Sequence, residues 1–188
     1  MTIKVTNLKS NKGLIFKYIK IIQPHIHKED RGFFYESWNK QDFDNNVFKI
    51  DFIQENHSLS IKNVLRGLHF QTTPYSQGKL VECITGEIFD VIVDIRKESE
   101  TYLQWGYLKL NENNHKQIWI NNGFAHGFYT LSESAHVIYK VDNYYNKDSE
   151  NTIIWNDIQL SIKWPIINES PIISKKDLEG KTIKELML

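Results

Sequence analysis

Phe89-Asp90-Val91-Ile92-Val93-Asp94-Ile95 is the stretch on which the reading of the fold turns. Its odd positions are all apolar, and two of its even positions are Asp. Successive side chains along a strand point to opposite faces, so a period of two marks a strand with one apolar face. The same period runs through Ala135–Asp142, where the odd positions form the more apolar face and include Tyr139. It runs again through Ile158–Trp164, which alternates at every residue. Thr85-Gly86 lies between the runs Leu80–Ile84 and Glu87–Ile95. Glycine accepts the positive φ of a tight turn, so a β-hairpin is predicted there. Several short strands with turn signals between them predict a sandwich or barrel. Helix signals are few: a capping-box-like Ser174-Lys175-Lys176-Asp177 and a short stretch at Trp38–Asn45. The prediction is a mostly β fold with a few short helices.

The 188 residues suit one domain, taken as 1–188, with no linker, repeat or low-complexity tract. Lys plus Arg and Asp plus Glu each number 23, so the net charge is zero. A nucleic-acid binder would show a basic excess or stripe, so none is expected here; a local basic pocket for a small anion is still allowed. Cys83 is the one cysteine, which excludes an internal disulfide and fits a reducing compartment. The opening MTIKVTNLKSNKGLIFKY lacks the apolar core of a signal peptide. No run approaches the ~20 apolar residues of a spanning helix. A cytoplasmic protein with no membrane association is the expectation.

The densest cluster of chemistry is Asn63-Val64-Leu65-Arg66-Gly67-Leu68-His69-Phe70-Gln71. Arg66 and His69 stand three apart, so they share a strand face only if Gly67 marks a bulge. That arrangement would set an anion-binding Arg beside a His base; a structural Arg with a satisfied core His is the plainer alternative. Lys79 begins an apolar strand, where a lysine usually reaches solvent. His126 sits between glycines and aromatics in Asn122–Phe128, a setting that also suits a buried loop His. Tyr139, on an inward face, is ordinarily core. Asp177 is the third residue of its helix, where a carboxylate favours the helix dipole. Asp30-Arg31-Gly32-Phe33-Phe34-Tyr35-Glu36-Ser37 joins Arg, Glu and three aromatics, a set that suits a nucleobase and its phosphates or an ordinary strand with an ion pair.

Gly67…His69-Phe70-Gln71…Glu82…Gly86 and Gly123-Phe124-Ala125-His126 trace the outline of metal-binding cupins, with Gln71 in place of the second His. Two histidines plus Gln71 and Glu82 fall short of three or four good ligands, so no metal is expected.

Together these segments resemble the dTDP-4-dehydrorhamnose 3,5-epimerase family, in order and spacing from about residue 15 to residue 178. Gln54-Glu55-Asn56-His57-Ser58, Asn143-Tyr144-Tyr145, Trp155-Asn156-Asp157 and Trp164-Pro165 extend the match. The resemblance implies a cupin-type jelly-roll barrel, a homodimer and an isomerase that works without metal or cofactor. Its reaction inverts C3 and C5 of dTDP-4-dehydro-6-deoxy-D-glucose, giving dTDP-4-dehydro-L-rhamnose by way of an enolate. Carried over by position, His69 matches the base and Asp177 its carboxylate partner. Lys79 matches the cation near the C4 oxygen, and Tyr139 the acid on the far face. Arg31, Glu36, Gln54, Glu55, Asn56, Arg66, His126, Glu150 and Lys176 match residues that hold nucleotide or sugar. Tyr145 matches the residue that stacks on thymine. Glu55 stands where the family commonly has Asp, and Asn121-Asn122-Gly123 replaces a Pro-containing turn; neither touches the proton-transfer set. The competing readings are a single-carbon epimerase or one using another nucleotide 4-ketosugar, a metal-dependent cupin enzyme, and a non-catalytic sugar-binding module.

Overall fold

The computed structural model describes residues 3–166 and 170–188. In chain order the elements are β1 (Lys4–Lys9), β2 (Ile15–Gln23), β3 (His27–Glu29), β4 (Gly32–Phe34), α1 (Lys40–Asn46), β5 (Gln54–Ile61), β6 (Val64–Gln71) and β7 (Lys79–Thr85). There follow β8 (Glu87–Asp94), β9 (Trp105–Asn111), β10 (Gln117–Ile120), β11 (Phe124–Thr130), β12 (Ser134–Val141), β13 (Glu150–Thr152), β14 (Ile172–Ile173) and α2 (Lys175–Leu178). One sheet runs β1-β2-β10-β7-β12-β5, the other β13-β6-β11-β8-β9, with β14 parallel to the start of β6. This is the mostly β, jelly-roll architecture expected.

The inner faces of the two sheets enclose a core of Phe16, Ile19, Val81, Cys83, Ile88, Ile92, Ile118, Ile120, Phe124, Phe128 and Val137. A second layer covers the outside of the β8-containing sheet. There Leu65, Leu68, Phe89, Val91, Val93 and Ala125 meet Ile153, Leu160 and Ile183 from the C-terminal segment. On the outside of the other sheet, Phe43 of α1 packs with Ile22, Leu80 and Trp119. The short helix expected at Trp38–Asn45 is present as Lys40–Asn46; it starts two residues later because the Asn39 side chain caps it, accepting a hydrogen bond from Asp42 N (3.1 Å).

Alternation in β8 is real, but both faces are covered. Its apolar odd positions face the C-terminal layer, and its even positions, Asp90 included, face into the barrel. Two other expectations are corrected. Thr85-Gly86 does not close a hairpin: Thr85 pairs with His136 in one sheet, and Glu87 pairs with Asn111 in the other. It is a corner at which the chain changes sheets. Gly86 is required there, since its φ is +77° and the place of a Cβ is filled by the Ser134 carbonyl and the Ser132 hydroxyl. Ile158–Trp164 is not a strand. Asp157 Oδ1 accepts hydrogen bonds from Gln159 N (2.9 Å) and Leu160 N (3.0 Å), folding the chain into a turn that leaves Ile158 93% exposed. A side chain that bonds the backbone two residues on competes directly with strand pairing.

Candidate active site

β6 carries a bulge at Gly67, the condition under which Arg66 and His69 share a face. His126 pairs with His69 and Phe128 with Arg66, so β6 uses one residue more than β11 over the same length. The inner face of the barrel therefore receives both Arg66 and His69. Gly67 has φ +114°, and a Cβ on it would lie 2.6 Å from the Gly127 Cα, so neither strand tolerates a side chain there. The bulge also frees the Gly67 N–H, which donates to Asp177 Oδ2 (3.2 Å).

Asp177 arrives from the far end of the chain. Parallel pairing of Ile172 with Val64 lays the C-terminal segment along β6, and Ser174 caps α2 by accepting from Asp177 N (3.1 Å). The carboxylate is thus turned away from the cap and onto His69, with Asp177 Oδ1 2.6 Å from His69 Nε2. Burial opposes ionisation of Asp177 most strongly. It is outweighed by the bonds from His69 and Gly67 N and by the Lys176 charge, and the net effect is a lowered pKa. An ionised carboxylate only accepts, so Nε2 carries hydrogen and Nδ1 keeps its lone pair.

His69 lines an open cavity of about 540 Å³ together with Gln54, Asn56, Phe70, Gln71, Gln77, Lys79, Tyr139, Tyr145 and Glu150. Lys79 comes from the first turn-facing end of β7 and forms no hydrogen bond or ion pair among the described residues. Burial pushes its ammonium down to about 8, against the attraction of Asp90 and Glu150 and with the repulsion of Lys176. Tyr139 projects inward from β12, packed against the barrel core. Its hydroxyl is raised above the usual phenol value, first by burial, with Arg66 opposing and Glu150 adding, so it stays protonated. Glu150 joins Lys176 (2.5 Å) and receives the Tyr145 hydroxyl (2.9 Å). Arg66 stands at the side, held by Ser60 Oγ (2.9 Å) and the Leu59 carbonyl (3.1 Å). His126 is buried behind the lining, 2.7 Å from Asp90.

Of the residues carried over by position, Arg66, His126, Lys176 and Asp177 stand beside or behind the lining, and Arg31, Glu36 and Glu55 lie away from it. Arg31 pairs with Glu29 at the exposed β3–β4 turn (2.7 Å). Glu36 lines a separate hollow with Trp38, Asn39 and Gln117. Glu55 lies on the outer face of β5, paired with Lys140. Gln71 and Gln77 are lining residues that were not singled out as site residues. Gln71 follows His69 by two, the same-face spacing that could have found it.

A model of the dTDP-4-dehydrorhamnose 3,5-epimerase family matches residues 15–185. The chain belongs to this family. It is 49% identical over 171 residues to the dTDP-4-dehydrorhamnose 3,5-epimerase of Salmonella typhimurium, covering 90% of this chain and 93% of that one. Its fold superposes on the crystal structure of the epimerase from Elizabethkingia anophelis NUHP1 with a TM-score of 0.89 and 38% identity, over 98% of both chains. It superposes equally on the dTDP-6-deoxy-D-glucose-3,5-epimerase of Legionella pneumophila in complex with dTDP-4-keto-L-rhamnose. There the TM-score is 0.88 and the identity 42%, over 96% of this chain and 94% of that one.

The metal-cupin outline does not assemble in this epimerase-family chain. Glu82 points to the outer face of its sheet, where it takes hydrogen bonds from Tyr35 (2.6 Å) and Gln117 (2.8 Å). Alternation along β7 puts Lys79, and not Glu82, on the His69 side. Among the described residues no group of three or more His, Cys, Asp or Glu side chains could hold a metal ion.

Proposed function

We propose that the protein is a dTDP-4-dehydrorhamnose 3,5-epimerase, and the observation that carries this is the His69–Asp177 pair facing the same cavity as Lys79 and Tyr139. The substrate ketone at C4 makes the hydrogens on C3 and C5 acidic. His69 Nδ1 takes one of them, and the electron pair of the C–H bond moves into the C4 carbonyl to give an enolate. Lys79 offsets the charge on the enolate oxygen. Tyr139 returns a proton to the opposite face, which inverts the carbon; His69 then gives its proton to water and the Tyr139 phenolate takes one from water, and a second cycle inverts the other carbon. The steps so written need no cofactor. Arg66, Gln54, Asn56, Tyr145, Glu150 and Lys176 are assigned to the nucleotide and sugar.

We read the working form as a cytoplasmic homodimer of single-domain chains. Supporting the second copy, the outer face of the β5–β12–β7 side exposes Leu59, Ile61 and Ile84, and the nearby β4 exposes Phe33 and Phe34. Large apolar side chains exposed on one side of a fold suit an interaction face. Among the described residues no helix is long and apolar enough to cross a membrane.

The deciding experiment is deuterium incorporation from D2O into dTDP-4-dehydro-6-deoxy-D-glucose, read by NMR at C3 and C5. Label at both carbons with inversion is expected. Label at one carbon alone makes the enzyme a single-carbon epimerase, and label at none makes it a binding module.

Two further results are expected. Arg66→Ala should weaken binding of dTDP alone about 10-fold, since a charge-assisted bond to phosphate contributes roughly 1.5–3 kcal/mol. Unchanged affinity in calorimetry removes Arg66 from the nucleotide end. Turnover should fall as pH rises through about 8, because Lys79 is charged below that value and neutral above it. Burial is the main cause of this value, with Asp90 and Glu150 opposing it and Lys176 adding to it. A rate that stays flat across the alkaline range takes the charge out of Lys79's part in the reaction.

A further inference from the structure

Asp90 is fully buried near the middle of β8, on a face whose neighbours along the strand are Ile88 and Ile92. One oxygen, Oδ2, lies 2.7 Å from His126 Nε2. The other, Oδ1, is buried without a hydrogen-bond partner in the described structure. A carboxylate held in an apolar interior with half its acceptor capacity unused is costly, and an amide or apolar residue of the same shape would avoid the cost. Packing therefore gives no reason for an Asp at this position.

What an ionised carboxylate does and an amide does not is accept only. It obliges His126 to carry hydrogen on Nε2 and leaves Nδ1 as the acceptor. An Asn could present either its oxygen or its NH2 and so tolerates both tautomers. The arrangement repeats the one at His69, where Asp177 also faces Nε2. His126 and His69 are direct partners on β11 and β6, with both side chains on the inner face. Directly opposed residues bring their Cβ atoms to roughly 5 Å, so the two rings are neighbours. Asp90 also attracts the Lys79 ammonium, more strongly than Glu150 does. One buried carboxylate thus stands behind two of the groups assigned to the sugar.

We propose that Asp90 is a positioning residue that acts through His126, fixing the tautomer whose Nδ1 accepts a hydrogen bond from a sugar hydroxyl at the inner end of the cavity. The nature of that ligand rests on the epimerase reading above; the orientation of His126 does not.

The test combines imidazole 15N NMR of the free protein, followed across pH to read the neutral ring, with kinetics of Asp90→Asn, His126→Asn and the double variant. In the wild-type chain the neutral His126 ring should be protonated at Nε2 alone, and in Asp90→Asn the Nδ1-protonated form should appear. Asp90→Asn should lower kcat about 10-fold or more, because a sugar hydroxyl no longer held in place lets the reacting carbon shift, and a small misplacement costs up to roughly 100-fold. The affinity for dTDP should stay within about threefold, because neither Asp90 nor His126 is assigned to the diphosphate. The double variant should be no slower than His126→Asn, since residues acting as a unit are not additive. A wild-type ring protonated at Nδ1, a wild-type kcat in Asp90→Asn, or two effects that multiply in the double variant each overturn the proposal. If Asp90→Asn fails to fold, the wild-type spectrum decides alone. A wild-type protein that exchanges no deuterium sinks the epimerase reading and leaves that spectrum to decide the claim on Asp90.

Discussion

His69→Ala should abolish deuterium exchange and epimerisation together. Exchange needs only a base at the carbon, and His69 is the one imidazole that both lines the cavity and has its second nitrogen bound to a carboxylate. A general base contributes about 10²–10⁴-fold, so the loss should be at least of that order. The ring is 29% exposed at the side-chain level, and Asp177 beneath it keeps the Gly67 N–H as a donor. Folding should therefore survive, which a thermal melt and retained dTDP binding would confirm. Exchange at the wild-type rate in His69→Ala places the base elsewhere. Equal loss of dTDP binding would instead mean that the cavity has collapsed.

Tyr139→Phe should split the two activities. The base and the Asp177 carboxylate remain, so a hydrogen still leaves the carbon and deuterium still enters. With the opposite-face donor gone, the label returns to the face it left, and inversion should fall roughly 10²-fold. The phenol packs against the barrel core and its hydroxyl has no hydrogen-bond partner among the described residues, so removing one oxygen changes the packing little. Stability should stay within about 0.5 kcal/mol. Inversion at the wild-type rate makes Tyr139 the wrong acid. Tyr145 is then next in line, although its hydroxyl is already committed to Glu150 and its ring is 54% exposed.

How much of this was legible in the sequence depended on whether local rules or pairing decided the outcome. The fold class was legible because β8 and β12 alternate, and alternation is a property of the strand itself. The two short helices were legible because Asn39 and Ser174 cap them locally. The three-residue spacing of Arg66 and His69 posed the Gly67 bulge as a condition, and only the pairing of β6 with β11 decided it. Thr85-Gly86 was misread because its glycine signals a turn without saying to which sheet the chain returns; only pairing with His136 and Asn111 decides that. Ile158–Trp164 was misread because Asp157 captures two backbone N–H groups, an effect that no periodicity reveals. At the site, position within the family brought His69, Lys79, Tyr139, Asp177, Tyr145 and Glu150 to one cavity. It did not bring Glu55 there, because alternation along β5 turns it to the outer face, nor Arg31 and Glu36, which lie in a turn and a loop away from the cavity. Asp90 stood in plain view as a charge within an apolar strand, but its meaning required knowing that the even face looks inward.

The 108 residues between His69 and Asp177 also set an order in time. At about 5–20 residues per second a ribosome needs roughly 5–20 s to make that interval. For that long the growing chain owns an imidazole whose tautomer nothing dictates. It also lacks β14, the strand that later runs beside the start of β6. Assembly of the proton-abstracting pair is thus among the last events of maturation, gated by translation rather than by the docking of neighbouring strands. Glu150 likewise waits for its partner Lys176, so the charge pair beside the cavity is completed only when the C-terminal segment is made.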